Sequence, residues 1–341
     1  MTKLKNLIID GNAVLYKYFF GYKKYDIDDI IAVAHVNTLY KIQYLANRYK
    51  VDNIVVVFDC FNKGWRKVYT SNLNPEKVTH RPYKAGRREN LSPSDEKKLK
   101  EFDASIHRYV DFFKTQTSVL CLQGNSLEGD DLIAGYVRRF PNDDHIIYSS
   151  DKDFMQLINS ITGTVTLVES QNDTERSLED WNNDPELFLF EKCFRGEPRG
   201  GDNVQNAYPR LLKKKIFAAY EDDYLKNNIF NNTFVVTELD DDDNVIEYNY
   251  RTGDLFKENK LLMGLNHQPD YIKGLIDVTI DEGIKDIGKF NYVQFLRFCK
   301  QHGMDAAIKE KEKFIDVLSR PYRLSSSGSL SGAASPQKPS D

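Results

Sequence analysis

Five short apolar runs punctuate the first half of the chain: Leu4–Ile9, Ile54–Phe58, Val119–Leu122, Ile146–Tyr148 and Val165–Val168. None alternates with polar positions, which is the pattern of strands covered on both faces. Apolar residues at helical spacing fill the intervals. Ile27–Tyr49 follows an acidic start, and Ser94–Thr115 lies behind a Ser-Pro start signal with Asp95 and Glu96 in its first turn. Asp130–Phe140 reads as a helix ended by Pro141. Strands alternating with helices predict an α/β fold with a mainly parallel sheet.

The texture changes after about residue 175. Helical patterns dominate, at Pro185–Cys193, Leu211–Tyr224, Pro269–Asp277, Tyr292–His302 and Asp305–Val317. Thr233–Leu239 and Val245–Arg251 interrupt them as the two arms of a β-hairpin with an acidic turn, Asp240–Asn244, read as a solvated turn. Ser325–Asp341 is rich in Ser, Gly, Ala and Pro and is expected to be disordered.

A chain of 341 residues can hold one large domain or two modest ones. Hydrophobic content of 40% and charged content of 29% are those of a soluble globular protein. No apolar run approaches the roughly 20 residues of a membrane span, and the N-terminus does not read as a secretory signal. Cys60, Cys121, Cys193 and Cys299 form no CxxC pair and read as reduced thiols of a cytoplasmic protein, which argues against zinc. The net charge of −4 hides an uneven distribution. Lys63, Arg66, Lys67, Lys77, Arg81, Lys84, Arg87 and Arg88 face a single acid, Glu76, within one segment. By charge alone this is either a phosphate-gripping face or a solvated loop.

The acids carry more information. Asp10 ends the first strand and Asp59 the second; Glu128, Asp130 and Asp131 follow the third, and Asp151 and Asp153 the fourth. In an open parallel sheet the carboxyl ends of the strands line one crevice. Four segments therefore send carboxylates toward one rim, and Asp202 is a candidate fifth. Clustered carboxylates raise one another's pKa unless a cation intervenes. Oxygen ligands without His or Cys favour Mg²⁺, with Mn²⁺ able to substitute. So many carboxylates point to two ions, an arrangement suited to phosphodiester hydrolysis. Each acid also has a structural reading: Asp130 can cap a helix, and Asp131 can balance its dipole.

The ordered segments LIIDGN, VVFD, RPYKAGR, LEGDD, SSDKDFMQL and GGDN resemble the flap endonuclease and 5′→3′ exonuclease family, over roughly residues 4 to 320. Within it, FKENKLLMGLNHQPD is similar to the T-even phage ribonuclease H branch. The resemblance implies a PIN-like catalytic domain over 1–180 with a helical arch at about 62–105. It also implies a duplex-binding region over 181–324 with a helix–two-turn–helix element, followed by the 325–341 tail. It implies that Asp10, Asp59, Glu128 and Asp130 surround a first metal, and Asp131, Asp151, Asp153 and Asp202 a second. Lys84 and Arg87 match the basic pair at the base of the arch, where a spacing of three sets both on one helical face and aims them at the scissile phosphate. Arg81 is a further candidate phosphate contact. Tyr83 either stacks on a base or packs within the arch. Lys213 and Lys214 are candidate duplex contacts or a solvated helix face.

The chain departs from the family around Gly196–Asn203. The first Asp of the usual pattern is either replaced by Glu197 or absent. The expected function is a Mg²⁺-dependent 5′-nuclease acting on flaps, 5′ ends and RNA–DNA duplexes, which removes RNA primers and flaps during lagging-strand DNA synthesis of a phage in its bacterial host. A monomer is expected, with a clamp or single-strand-binding protein as candidate partner, although no clamp motif is found in the tail. The alternatives are a catalytically impaired structure-specific DNA-binding protein and a PIN-type ribonuclease.

Overall fold

The computed structural model describes residues 3–85, 91–197, 203–239 and 244–325. In chain order the elements are β1 (Lys5–Asp10), α1 (Gly11–Tyr22), α2 (Ile27–Tyr49), β2 (Asn53–Val57), α3 (Trp65–Tyr69), α4 (Pro93–Gln116), β3 (Leu120–Leu122), α5 (Gly129–Arg139), β4 (Asp144–Ser149) and β5 (Val165–Glu169). The second half adds α6 (Pro185–Arg195), α7 (Lys213–Glu221), α8 (Asp223–Phe230), β6 (Thr233–Leu239), β7 (Val245–Arg251), α9 (Thr252–Met263), α10 (Asp270–Lys285), α11 (Tyr292–Gln301), α12 (Asp305–Lys309) and α13 (Lys311–Ser319).

The five expected strands form one parallel sheet in the order β3-β2-β1-β4-β5. The order reverses between β1 and β4, so a crevice opens there at the carboxyl ends of the strands. Both faces are covered, which explains the unbroken apolar runs. Leu7, Ile9, Val56 and Tyr148 face one core with α1, α2 and α4, whereas Ile8, Val55, Val57 and Ile147 face another with α5 and α10. Helices α5 and α10 meet so closely at Gly135 that a Cβ there would lie 2.1 Å from Ile276 Cγ2. A third core joins α6, α7, α9 and the hairpin.

Three helix expectations change. Leu211–Tyr224 is broken at Asp222, whose carboxylate accepts from the backbone N–H groups of Tyr224 and Leu225 and starts α8 afresh. Asp305–Val317 is broken at Glu310 into α12 and α13, and the helix expected to stop at Asp277 runs on to Lys285. The hairpin arms have the expected bounds. Residues 240–243 of its turn, and 326–341 of the tail, lie outside the described residues.

The division expected near residue 180 does not separate two cores. Phe295, Phe298, Cys299, Phe314 and Val317, from α11 and α13, fill the core of α2 and α4. The chain then runs along the amino end of β2: the Asn53 side chain donates to Arg323 O and accepts from Arg323 N, at 2.9 and 2.8 Å. Among the described residues no helix is long and apolar enough to cross a membrane.

Candidate active site

The crevice between β1 and β4 is built from strand ends. Asp10 closes β1 and caps α1, accepting from Ala13 N at 3.0 Å. Its other oxygen accepts from Ser149 Oγ, at the end of β4, at 2.7 Å. Ser149 Oγ in turn accepts from Asp151 N at 3.0 Å, which ties the end of β4 to that of β1. Asp59, just past β2, accepts from Gly129 N at 2.7 Å, and its own N–H donates to Asn12 Oδ1 at 2.9 Å. Burial pushes the Asp10 carboxyl up to about 7, with the charges of Asp59 and Asp151 adding to the shift against the bonds from Ser149 and Ala13.

Glu128 is the N-cap of α5 and meets two cations. Lys84 Nζ donates to Oε1 at 2.7 Å and Arg66 Nη1 to Oε2 at 2.9 Å. Burial alone would raise its carboxyl, but Lys84 and Arg66 more than reverse this and hold it at about 2. Asp130, with 3.3 Å between its Oδ1 and Arg66 Nη1, is pushed well up by burial.

Asp131 is a correction. It is fully buried, and both its oxygens are taken. Arg66 binds it through two nitrogens at 2.9 and 3.0 Å, while Trp65 Nε1, Gln268 Nε2 and the Glu128 N–H supply further donors at 2.9, 3.1 and 3.1 Å. Five donors exhaust the carboxylate's acceptor capacity, so its role is to close a capping box and anchor Arg66. Arg66, a member of the basic segment, is neither a phosphate-gripping residue nor part of a solvated loop. It is completely buried, braced by a bond from Nε to Leu262 O at 2.7 Å, and acts as an internal counter-ion to three acids.

On the far side, Asp151 caps the 3₁₀ turn Lys152–Leu157 by accepting from Asp153 N at 2.8 Å. Asp153 is buried and pairs with Lys192 of α6, which also donates to Glu197 Oε1 at 2.6 Å. Burial raises the Asp153 carboxyl to about 7, the Asp151 charge adds to this, and Lys192 opposes both. Lys192 and Glu197 thus join the acidic rim. Lys192 had no sequence signal beyond helical spacing.

Several expected substrate contacts lie elsewhere than expected. Tyr83 is 3% exposed and belongs to the third core, so the packing reading holds over base stacking. Lys84 is in a turn with φ of 56°, not on a helical face, while Arg87 and Asp202 lie outside the described residues. Arg81 is bound to Glu238 of β6. Lys213 lies over the Trp181 and Phe217 rings, 3.8 Å from Glu191, and Lys214 is exposed.

Among the described residues no three His, Cys, Asp or Glu side chains stand together as a ready metal cage. The donor set nevertheless fits a hard divalent ion: it is carboxylate oxygen throughout, and the charged form of Asp10 is disfavoured by burial and, to a lesser extent, by its acidic neighbours.

The family described as "5′-3′ exonuclease, N-terminal resolvase-like domain" matches residues 5–183, more than half the chain. The chain belongs to that family. It is a hydrolase of the nuclease class, in the group of 5′→3′ exonucleases. A sequence search of curated proteins gives no match. Among solved structures, the fold is similar to the bacteriophage T5 flap endonuclease in a pseudo-enzyme–product complex with DNA and metal ions. The TM-score is 0.57 at 18% identity, over 83% of this chain and 97% of that one. It is also similar to the T5 5′-exonuclease with divalent zinc ions bound, with a TM-score of 0.53 at 17% identity, over 92% of this chain and 100% of that one. At such identity the likeness concerns the fold of the nuclease.

Proposed function

We propose that this nuclease is a divalent-metal-dependent enzyme that cuts DNA at 5′ flaps and 5′ ends, and RNA–DNA duplexes during primer removal in phage DNA replication. The observation that carries the reading is the convergence of carboxylates from four strand ends on the β1/β4 crevice, with the Lys84 ammonium bonded to Glu128 at their edge. Asp10, Asp59, Glu128 and Asp130 would hold one ion, and Asp151 and Asp153, with Glu197 or Asp202, a second; Mg²⁺ is the expected ion and Mn²⁺ its substitute. Bound ions would lower the pKa of water and stabilise the leaving oxygen. The chain's own groups do the rest. Ser149 and the α1 amide orient Asp10, Arg66 holds Glu128 and Asp130 in place, and Lys84 supplies positive charge to the scissile phosphate as it becomes more negative. Lys213 and Lys214 contribute to the duplex grip.

The test is cleavage of an end-labelled 5′-flapped duplex with Mg²⁺, with chelator, and by an Asp151→Asn/Asp153→Asn variant. Cutting at the junction or stepwise from the 5′ end, abolished by chelator and by the variant, is expected. Tight binding without cutting under both Mg²⁺ and Mn²⁺ would replace the reading with that of a binding protein.

A further inference from the structure

Lys84 owes its place to a short, heavily anchored path, and most of the anchors come from the hairpin or the helix that follows it. Glu258, a buried carboxylate on α9, accepts from the backbone N–H groups of Val78 and Thr79 at 2.6 and 2.7 Å. His80 stacks on Tyr248 of β7, with ring centroids 3.7 Å apart and planes 8° from parallel. Its Nε2 lies 2.9 Å from Glu238 Oε2, and its backbone N–H donates to Tyr250 Oη. Arg81 Nε donates to the other Glu238 oxygen at 2.9 Å. Asn203 donates to Pro82 O at 3.1 Å, and Tyr83 N donates to Thr70 Oγ1 at 2.8 Å. Lys84 follows at once, in a left-handed turn.

The hairpin is built for this contact. Its register sets Glu238 opposite Ile246, Val236 opposite Tyr248 and Phe234 opposite Tyr250. Side chains alternate across a strand, so Phe234, Val236 and Glu238 turn inward while Val235 and Leu239 are exposed. The inward face is the one that meets residues 78–81. A solvated decoration would need neither a carboxylate bridging two consecutive basic residues nor an aromatic ring laid flat on one of them.

We propose that the hairpin is a positioning device for the reaction: Glu238 and Tyr248 fix His80 and Arg81, and through them set the Lys84 ammonium against Glu128 at the edge of the crevice. These are positioning residues, since neither touches the reacting atoms. The inference rests on the reading of Lys84 as the group that meets the scissile phosphate.

The experiment is steady-state and single-turnover cleavage of a 5′-flapped DNA duplex with Mg²⁺. It compares full-chain wild type, Glu238→Ala, Tyr248→Ala, Lys84→Ala and the two double variants with Lys84→Ala. Each hairpin variant should lower kcat roughly tenfold, since small misplacements of a charge-stabilising group are costly, with KM within about twofold. In the Lys84→Ala background the same changes should have almost no effect, because residues that act through one group are not additive. Equal losses in both backgrounds, a loss confined to KM, or no loss would overturn the proposal. Thermal unfolding separates these from a folding defect; if Glu238→Ala does not fold, Tyr248→Ala decides alone. A wild type that fails to cut at all would bring down the nuclease reading, and this inference with it. A wild type that cuts beside silent hairpin variants would bring down the inference only.

Discussion

Lys84 and Arg66 both contact Glu128, yet burial gives them different work. Lys84 reaches the edge of the crevice on a flexible stem; Arg66 has no exposed surface and three acidic partners. Lys84→Ala should therefore lower kcat by about 10²-fold, the order of magnitude for losing one transition-state charge contact. Duplex affinity, read by fluorescence anisotropy, should be nearly unchanged. A weaker affinity at unchanged turnover would refute that role. Arg66→Leu should instead lower stability by about 3–5 kcal/mol, because it strands buried carboxylates. Urea unfolding checks this, and Arg66→Lys should restore little, since one ammonium cannot replace the guanidinium fork that grips Asp131. In the sequence these residues are indistinguishable members of one basic segment. The acids were legible because strand ends announce themselves by apolar pattern. Which cation is internal depends on partners 60 or more positions away and leaves no local mark.

At the scale of elements, the strands and the hairpin were legible because period and length are local properties. The breaks at Asp222 and Glu310 were missed because apolar spacing continues through both; at Asp222 a capping carboxylate restarts the helix, whereas the Glu310 side chain makes no cap. Helix α2 illustrates a packing that pattern reading cannot supply. His35 lies flat on Tyr109 of α4, with centroids 4.2 Å apart, and near His302, which follows α11. Burial pulls the imidazole well below its usual value, with His302 and Arg108 adding to the shift. The unfolded chain thus takes up a proton below about pH 6.5 that the folded protein refuses. Stability present above that pH should be lost progressively as pH falls. In urea melts between pH 7.5 and 5, His35→Phe, which keeps the aromatic stack, should lose less stability than wild type. Parallel losses in the two proteins would show that His35 does not contribute.

At the scale of the molecule, the change in texture after residue 175 suggested a boundary that the cores ignore. Phe295, Phe298 and Phe314 complete the packing of α2 and α4, and Asn53 at the foot of β2 is satisfied by Arg323. Contacts between residues more than 200 positions apart are invisible to any windowed reading. A fragment ending at Asp184 should therefore lack a cooperative unfolding transition and the dispersed amide spectrum of a folded domain. A sharp melt from that fragment would restore the two-domain division. Arg66 has a wider consequence. Many small metalloproteins unfold when stripped, because the ion is the charge that holds their ligands together. Here a fixed guanidinium, sealed beneath the rim, already gathers the α5 acids before any ion arrives. Under the proposed metal dependence, scarcity of divalent cations would then idle the enzyme without exposing its chain to proteases, and resupply would restart it with no new synthesis.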